Sequence, residues 1–311
     1  MRRDPTVFIM GLGVGERGGS YLVTTGLLEE FGALRVIDTP IAEASFTGMG
    51  VGAAIVGLRP VVEILFADFA LLAMDQLVNQ AAKYRFMTAG RGTVPMVVRT
   101  QGGVGHGLAA QHSQSLEALF YHIPGLHLVA PSTPQGAKGL LKSAIRCDDP
   151  VIFMEHKMLY ATEGEIPDDD YVIELGKGEI RRSGSDLTLI AWSNMVPRSL
   201  AAAAALSAEG IEVEVIDPIT LVPLDTALIL MSVRRTGRAV IVQEAARRGG
   251  VASDIASIIQ QEAFGDLNAP VKIIAGRNTP IPFNCDLERA CIPQEADIVR
   301  EVRQMMPGGG E

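Results

Sequence analysis

The sequence predicts an α/β protein with a mainly parallel sheet, laid out in two successive parts. Three observations carry that prediction. Short β-branched runs alternate with longer stretches of helical spacing along the chain. A polar segment, 163–185, containing Asp168, Asp169, Asp170 and several glycines, breaks that rhythm once. The 311 residues are 48% hydrophobic and 20% charged, a globular balance long enough to bury roughly three-quarters of the unfolded surface.

In the first part the strand candidates are Thr6–Met10, Arg35–Asp38, Val61–Leu65, Pro95–Arg99, His127–Ala130 and Val151–Met154. Helical stretches fall near 20–31, 40–57, 68–88, 114–121 and 134–145. The spacing of Leu71, Met74, Leu77, Ala81 and Tyr84 predicts one continuous helix over 68–88. Thr39 is placed to cap the helix before it, with Pro40 at its first position. The second part repeats the pattern with strands Leu187–Trp192, Glu212–Ile216, Ala239–Gln243 and Val271–Ala275. Helices near 195–209, 225–235, 249–264 and 294–305 separate and follow them, and the tail from Pro307 to Glu311 is expected to be mobile.

Charge narrows the function classes. Lys plus Arg number 27 against 36 Asp plus Glu, a net charge of −9, so neither nucleic acid nor an anionic membrane is expected as a partner. The three cysteines, Cys147, Cys285 and Cys291, suit a reducing compartment and lack metal-ligand spacing. The apolar run Val7–Met10 is too short for a signal peptide, and Arg59, Glu63 and Asp68 interrupt the greasy stretch 48–74. A cytoplasmic location is expected.

Three motifs compete for chemistry. Gly13-Val14-Gly15-Glu16-Arg17-Gly18 follows the first strand, and Asp38 ends the next, close to a dinucleotide fingerprint but equally a glycine loop. Glu43 lies in the first turn of a helix rich in small residues (Gly48, Gly50, Gly52, Ala53, Ala54). The helix dipole alone would justify a Glu there, although it comes one residue late for a capping box. His112 stands in Ala110-Gln111-His112-Ser113-Gln114, just after the glycine-rich loop 102–107, whose composition predicts flexibility. No G-x-S-x-G elbow and no P-loop occur in the chain.

Taken together these pieces resemble one family. Val36-Ile37-Asp38-Thr39-Pro40-Ile41-Ala42-Glu43, Phe66-Ala67-Asp68-Phe69, Met74-Asp75-Gln76, Ala110-Gln111-His112-Ser113-Gln114, Pro131-Ser132-Thr133-Pro134, Ala137-Lys138-Gly139-Leu140-Leu141 and Thr279-Pro280-Ile281-Pro282-Phe283 look like the β subunit of the decarboxylating component of 2-oxoacid dehydrogenase complexes. Pyruvate, branched-chain 2-oxoacid and acetoin dehydrogenases share it. The resemblance implies a transketolase-like pyrimidine-binding α/β domain over 1–180 and a smaller transketolase C-terminal-like α/β domain over 181–311.

It also implies thiamine diphosphate chemistry on a small 2-oxo substrate, of pyruvate or acetoin type, with acyl transfer to lipoyl-lysine. By resemblance Glu43 is the carboxylate that meets N1′ of the aminopyrimidine, Phe69 stacks on that ring, and Ile41 and Leu65 complete its pocket. His112 serves acyl transfer to the lipoyl group of an acyltransferase partner. The Gly-Asp-Gly…Asn pattern that holds magnesium and diphosphate is missing, the nearest approach being Gly265-Asp266-Leu267. An α subunit in an α2β2 heterotetramer is expected to supply that half. A structural potassium ion on backbone oxygens maps near Ala144, Ile145, Cys147 and Asp149. Half of a split transketolase shares the fold, and the Gly13–Gly18 loop keeps a NAD-binding oxidoreductase as the second alternative.

Overall fold

A computed structural model describes residues 1–306; the tail 307–311, expected to be mobile, lies outside the described residues. The first half contributes β1 (Val7–Gly11), α1 (Leu27–Phe31), β2 (Val36–Asp38), α2 (Glu43–Ile55) and β3 (Arg59–Ile64). After them come α3 (Ala82–Met87), β4 (Val97–Gly102), α4 (Glu117–Tyr121), β5 (His127–Val129), α5 (Pro134–Arg146) and β6 (Val151–His156). The second half holds β7 (Glu179–Arg182), β8 (Leu187–Ala191), α6 (Met195–Ser207), β9 (Val213–Asp217), β10 (Thr220–Val222) and α7 (Thr226–Thr236). It ends with β11 (Ala239–Ala246), α8 (Val251–Glu262), β12 (Lys272–Gly276), α9 (Cys285–Ala290) and α10 (Glu295–Met305).

The strands form a seven-stranded sheet ordered β10-β5-β6-β4-β3-β1-β2 and a five-stranded sheet ordered β12-β11-β8-β9-β7. Only the edge strands β10 and β7 run antiparallel to their neighbours. The central strands β4 and β8 are buried along their whole length, as strands covered by helices on both faces must be. All ten strands expected from the sequence are present. One apolar core runs through both halves, joining Met10, Val62 and Met96 to Trp192, Ile241 and Ile255. No helix among the described residues is long and apolar enough to cross a membrane.

The departures from expectation have physical reasons. The stretch 68–88 is not one α-helix. It runs as a 3-10 helix over Ala67–Ala73, a π-helix over Asp75–Ala81, and then α3. Ala70, Ala73, Leu77 and Ala81 stay buried, so changes of pitch keep the small face inward, a feature that often marks a functional site. The helix expected over 20–31 forms only at Leu27–Phe31, because Leu22 and Gly26 adopt positive φ. Thr39 does not cap α2. Its N–H donates to the Gly11 carbonyl, prolonging the strand pairing, and the helix starts at Glu43 with Ala42 as an uncapped N-cap.

Three elements were not anticipated. β7 is a polar edge strand inside the segment read as a break, and the division expected after residue 180 falls within it. β10, three residues between Pro218 and Pro223, crosses back to pair with β5 of the first sheet. α9 is capped by Asn284, whose Oδ1 accepts from the N–H groups of Asp286 and Leu287.

Candidate active site

Chain direction puts the C-terminal ends of β1, β2, β3 and β4 on one side of the parallel sheet, where ligands bind in open α/β folds. From the end of β2 the chain bends and enters α2 at Glu43, whose side chain is only 6% exposed. Among the described residues no hydrogen bond or ion pair engages the Glu43 carboxylate. It sits in the first turn, where uncapped N–H groups favour an anion. The helix lies close to the sheet: a Cβ on Gly50 would stand 2.6 Å from Val62 Cγ2, and one on Gly48 would meet the Gln76 side chain at 3.1 Å. That closeness explains the run of small residues and seats α2 against the 67–81 segment.

That segment carries an aromatic corner. Phe66 and Phe69 meet edge to face with ring centroids 5.6 Å apart, and the His112 ring lies 5.1 Å from Phe66 and 5.4 Å from Phe69. Lys157 donates to the His112 carbonyl and stands 5.3 Å over the Phe66 ring. Burial lowers its ammonium below the usual lysine range. Gln101 Nε2 donates to the Leu65 carbonyl at 2.6 Å, and Gln114 Nε2 to Asp68 Oδ1 at 2.7 Å. Enclosed atoms on these segments, Asp68 Oδ2, Thr100 Oγ1, Gln101 Oε1 and Ser113 Oγ, have no partner in the protein. The structure therefore gathers Phe69 and His112, with Leu65 beside them on the same chain segment. Ile41, by contrast, is 76% exposed.

The glycine loop preceding His112 is not the flexible strap its composition suggested. Val104 N–H donates to Glu244 Oε1 at 2.7 Å, Gly105 N–H to Glu288 Oε1 at 2.9 Å, and Gly107 N–H to Glu288 Oε2 at 3.2 Å. Glu244 also accepts from Ser115 Oγ at 3.1 Å and faces His156 Nε2 at 2.9 Å. Burial alone would raise the Glu244 carboxyl, but the His156 imidazole and these donors bring it down to about 2. Gly103 and Gly105 have φ of +82° and +128°, and a Cβ on either would collide with His156 or Met158. Glu244 and Glu288 were missed from sequence. Their partners lie 140 and 183 residues away, and no local pattern marks them.

Other expectations are corrected. In the Gly13–Gly18 loop the N–H groups of Gly15 and Glu16 donate to the Asp38 carboxylate at 2.8 and 2.9 Å. No helix begins until Leu27. Donors that would cradle a pyrophosphate are spent, and the acid that would hold a ribose is their acceptor. This overturns the dinucleotide reading. Of the four residues mapped to potassium, two turn their carbonyls to one guanidinium. Arg59 Nη1 donates to the carbonyls of Ile145 (2.9 Å) and Cys147 (3.0 Å), the Ala144 carbonyl accepts from Cys147 N–H (3.2 Å), and Asp149 Oδ1 pairs with Arg85. Asp266, nearest to a magnesium motif, lies in a short turn 3.6 Å from Arg234.

Comparison with known proteins agrees with this geometry. The family model "Transketolase, pyrimidine binding domain" matches residues 1–163, and "Transketolase, C-terminal domain" matches 176–298. The chain is 46% identical to the "Acetoin:2,6-dichlorophenolindophenol oxidoreductase subunit beta" of Cupriavidus necator, covering 99% of this chain and 94% of that one. It is 46% identical to the "Pyruvate dehydrogenase E1 component subunit beta" of Porphyra purpurea, covering 98% and 92%. A solved structure, "Split gene transketolase, inactive beta4 tetramer", shares the fold with a TM-score of 0.80 over 97% of this chain and 92% of that one; at 23% identity the likeness is one of fold alone. With relatives of this similarity along nearly its full length, the chain belongs to the family of thiamine-diphosphate-dependent 2-oxoacid dehydrogenase β subunits, the pyruvate and acetoin dehydrogenases among them.

Proposed function

We propose that this chain supplies the pyrimidine half of a composite thiamine diphosphate site acting on pyruvate or acetoin, and works only when joined to an α subunit. The observation that carries the reading is Glu43, a buried carboxylate without a protein partner at the start of α2. Phe69 and His112, which meet edge to face, add an aromatic wall that suits the face of a heteroaromatic ring.

When bound, the cofactor supplies a carbon acid whose conjugate base attacks a 2-oxo carbonyl. The protein's part is orientation and proton handling. Glu43 would hold a proton at N1′ of the pyrimidine, in a water-poor setting that strengthens the contact. Phe69 would cover the ring, and the Leu65 carbonyl, which has a second lone pair beyond Gln101, would accept from its amino group. His112, half-buried and held from below by Lys157, would deliver a proton to the lipoyl sulfur during acyl transfer to an acyltransferase partner. Magnesium and diphosphate would come with the α subunit.

Assembly has its own support. Ile41, Met49, Leu71, Leu72, Phe86 and Met87 are exposed apolar side chains near and along the segments that build the site, as interfaces require. They suit an α2β2 heterotetramer. A cytoplasmic location is part of the proposal, although two relatives from Oryza sativa are named mitochondrial.

The test is Glu43→Gln in the co-expressed complex. Activity should fall ~10²–10⁴-fold with unchanged circular dichroism, the loss typical of one proton-transfer group. Full activity in that variant, or decarboxylation by the isolated chain, would overturn the reading.

A further inference from the structure

The chain from Gly103 to Gln114 forms a closed loop with His112 near its returning end. Gly103 N–H donates to the Gln114 carbonyl at 3.1 Å, which joins the two stems. Glu244 Oε1 spans the same junction, accepting from Val104 N–H on the outgoing stem and from Ser115 Oγ just beyond the returning one. The far end of the loop leans on the second half of the chain. Gly105 and Gly107 donate their N–H groups to the two oxygens of Glu288. A Cβ on Gly107 would stand 3.0 Å from the Phe283 carbonyl and 3.1 Å from Cys285 Sγ. The loop backbone is not relaxed. His106 and Ala109 hold φ of +67° and +62°, a region that side chains adopt when their surroundings impose it.

Glu288 has no other task in the fold. It is only 4% exposed, and among the described residues its carboxylate has no ion pair and no hydrogen bond besides the two from the loop. A buried charge has to be met by donors, and peptide N–H groups bond an anion more strongly than a neutral acceptor. The helix that carries it is itself fixed. Asn284 caps the start of α9, and the Cys291 carbonyl just after it accepts from Arg277 N–H, next to the end of β12, at 2.8 Å. A rigid arm therefore reaches from the five-stranded sheet to the tip of the loop. From that tip the chain runs straight to His112, whose N–H donates to the Ala109 carbonyl at 3.4 Å and whose carbonyl accepts from Lys157.

We propose that Glu288 is a positioning residue for acyl transfer: by clamping Gly105 and Gly107 it fixes the loop that sets the His112 imidazole against Phe66 and Phe69. The proposal rests on the reading of His112 as the acyl-transfer group. In that step the dithiolane S–S bond breaks, one sulfur bonds to the two-carbon unit left by decarboxylation, and the other takes the proton carried by His112. The two-carbon unit loses its hydroxyl proton and is oxidised to the acyl level, its two electrons reducing the disulfide. A displacement of about 1 Å in a group that must meet its partner can cost ~10²-fold in rate. Decarboxylation needs no proton at that sulfur and depends on Glu288 far less. The second half of the chain thus serves the chemistry without offering a side chain to it.

Position and rate are measured separately. Histidine labelled at Cε1 gives the full-length chain five NMR signals, one per histidine, and His112→Gln identifies that of His112. The Phe66 and Phe69 rings, 5.1 and 5.4 Å away, should displace this signal from its random-coil position. It should move toward that position in Glu288→Gln and further in Glu288→Ala, while the signals of His122 and His127 hold. In the assembled enzyme, kcat for transfer to a lipoyl domain should fall ~10-fold in Glu288→Gln, which keeps one accepting oxygen, and ~10²-fold in Glu288→Ala. KM for the domain, and decarboxylation read by an artificial electron acceptor, should stay near the parent's. In the unaltered chain the Gly105 and Gly107 amides should be protected from hydrogen exchange, a readout that needs no variant to fold. Free exchange of both amides, a His112 signal unmoved in the two variants, or transfer at the parent's rate in Glu288→Ala would overturn the proposal. Equal losses of transfer and decarboxylation in His112→Ala, with the His112 signal still displaced by Glu288→Ala, would remove the transfer reading and leave the positioning intact.

Discussion

Replacing Glu244 by Gln should release the glycine loop without altering its shape in the ground state. The carboxylate receives Val104 N–H and Ser115 Oγ on one oxygen and faces His156 Nε2 on the other. Met158 N–H donates to His156 Nδ1, so Nε2 is the protonated nitrogen and points a donor at Glu244. An amide keeps only one accepting oxygen, and whichever way it turns, one buried donor faces its NH2 group. An unsatisfied buried donor costs about 1–3 kcal/mol. At ~1.4 kcal/mol per tenfold, about 3 kcal/mol is ~10²-fold in the opening equilibrium. Amide hydrogen exchange is the assay: Val104 should exchange ~10²-fold faster in the variant, and Gly105 and Gly107 less so, because Glu288 still holds them. Acid adds a second arm. The folded carboxyl lies at about 2, below its ordinary 4.5, so its stabilisation is present above pH 4.5 and is lost as pH falls toward 2. That interval is worth about 3 kcal/mol, read by the fluorescence of Trp192, the single tryptophan. Unchanged exchange at Val104, or the same acid profile in both proteins, would refute the reasoning.

Three further outcomes follow from other buried groups. Burial raises the Asp217 carboxyl to about 6, although Ser132 Oγ and Ile219 N–H both donate to it. The folded state therefore loses stability as pH rises from about 4 through 6, and Asp217→Asn should be more stable than the parent at pH 8 by up to ~3 kcal/mol, with no difference at pH 4; urea midpoints at the two pH values decide it. Arg99 binds Glu63, Glu155 (2.8 Å) and the Tyr160 hydroxyl (3.0 Å) inside the protein. Arg99→Met should cost about 3–5 kcal/mol by leaving two buried carboxylates uncompensated, and a loss below ~1 kcal/mol in chemical denaturation would contradict that. In the assembled enzyme, His112→Ala should spare decarboxylation read by an artificial electron acceptor more than transfer to a lipoyl domain, and equal losses in the two assays would count against the transfer role.

Why the strands were readable and some helices were not is a matter of how each element is held. β4 and β8 are buried on both faces, so their apolar runs announce them locally. β10 and β7 owe their existence to partners elsewhere, β5 and β9, and three or four residues at a sheet edge carry no period of their own. The 67–87 segment had the right inward residues but the wrong pitch, because crowding against α2, not propensity, sets how tightly it winds. Glu43, Phe69 and His112, the residues proposed for the site, stood out because their motifs are contiguous. Glu244 and Glu288, which position the loop before His112, were not, since the pairs that define them form only when the second half docks on the first.

The two classes of buried acid also differ in what surrounds them, and that difference separates scaffold from site. Glu244 and Glu288 are saturated by donors from the glycine loop and its neighbours. Glu43 is only 6% exposed and has no protein partner among the described residues. Holding a carboxylate in so buried a residue without a protein partner costs up to about 1–3 kcal/mol, against a fold stability of only about 5–15 kcal/mol. A donor brought to Glu43 by the cofactor, as proposed above, would recover that energy. On this argument binding at the site should raise the stability of the assembled protein more in the parent than in Glu43→Gln, because the variant's amide presents one accepting oxygen where the carboxylate presents two.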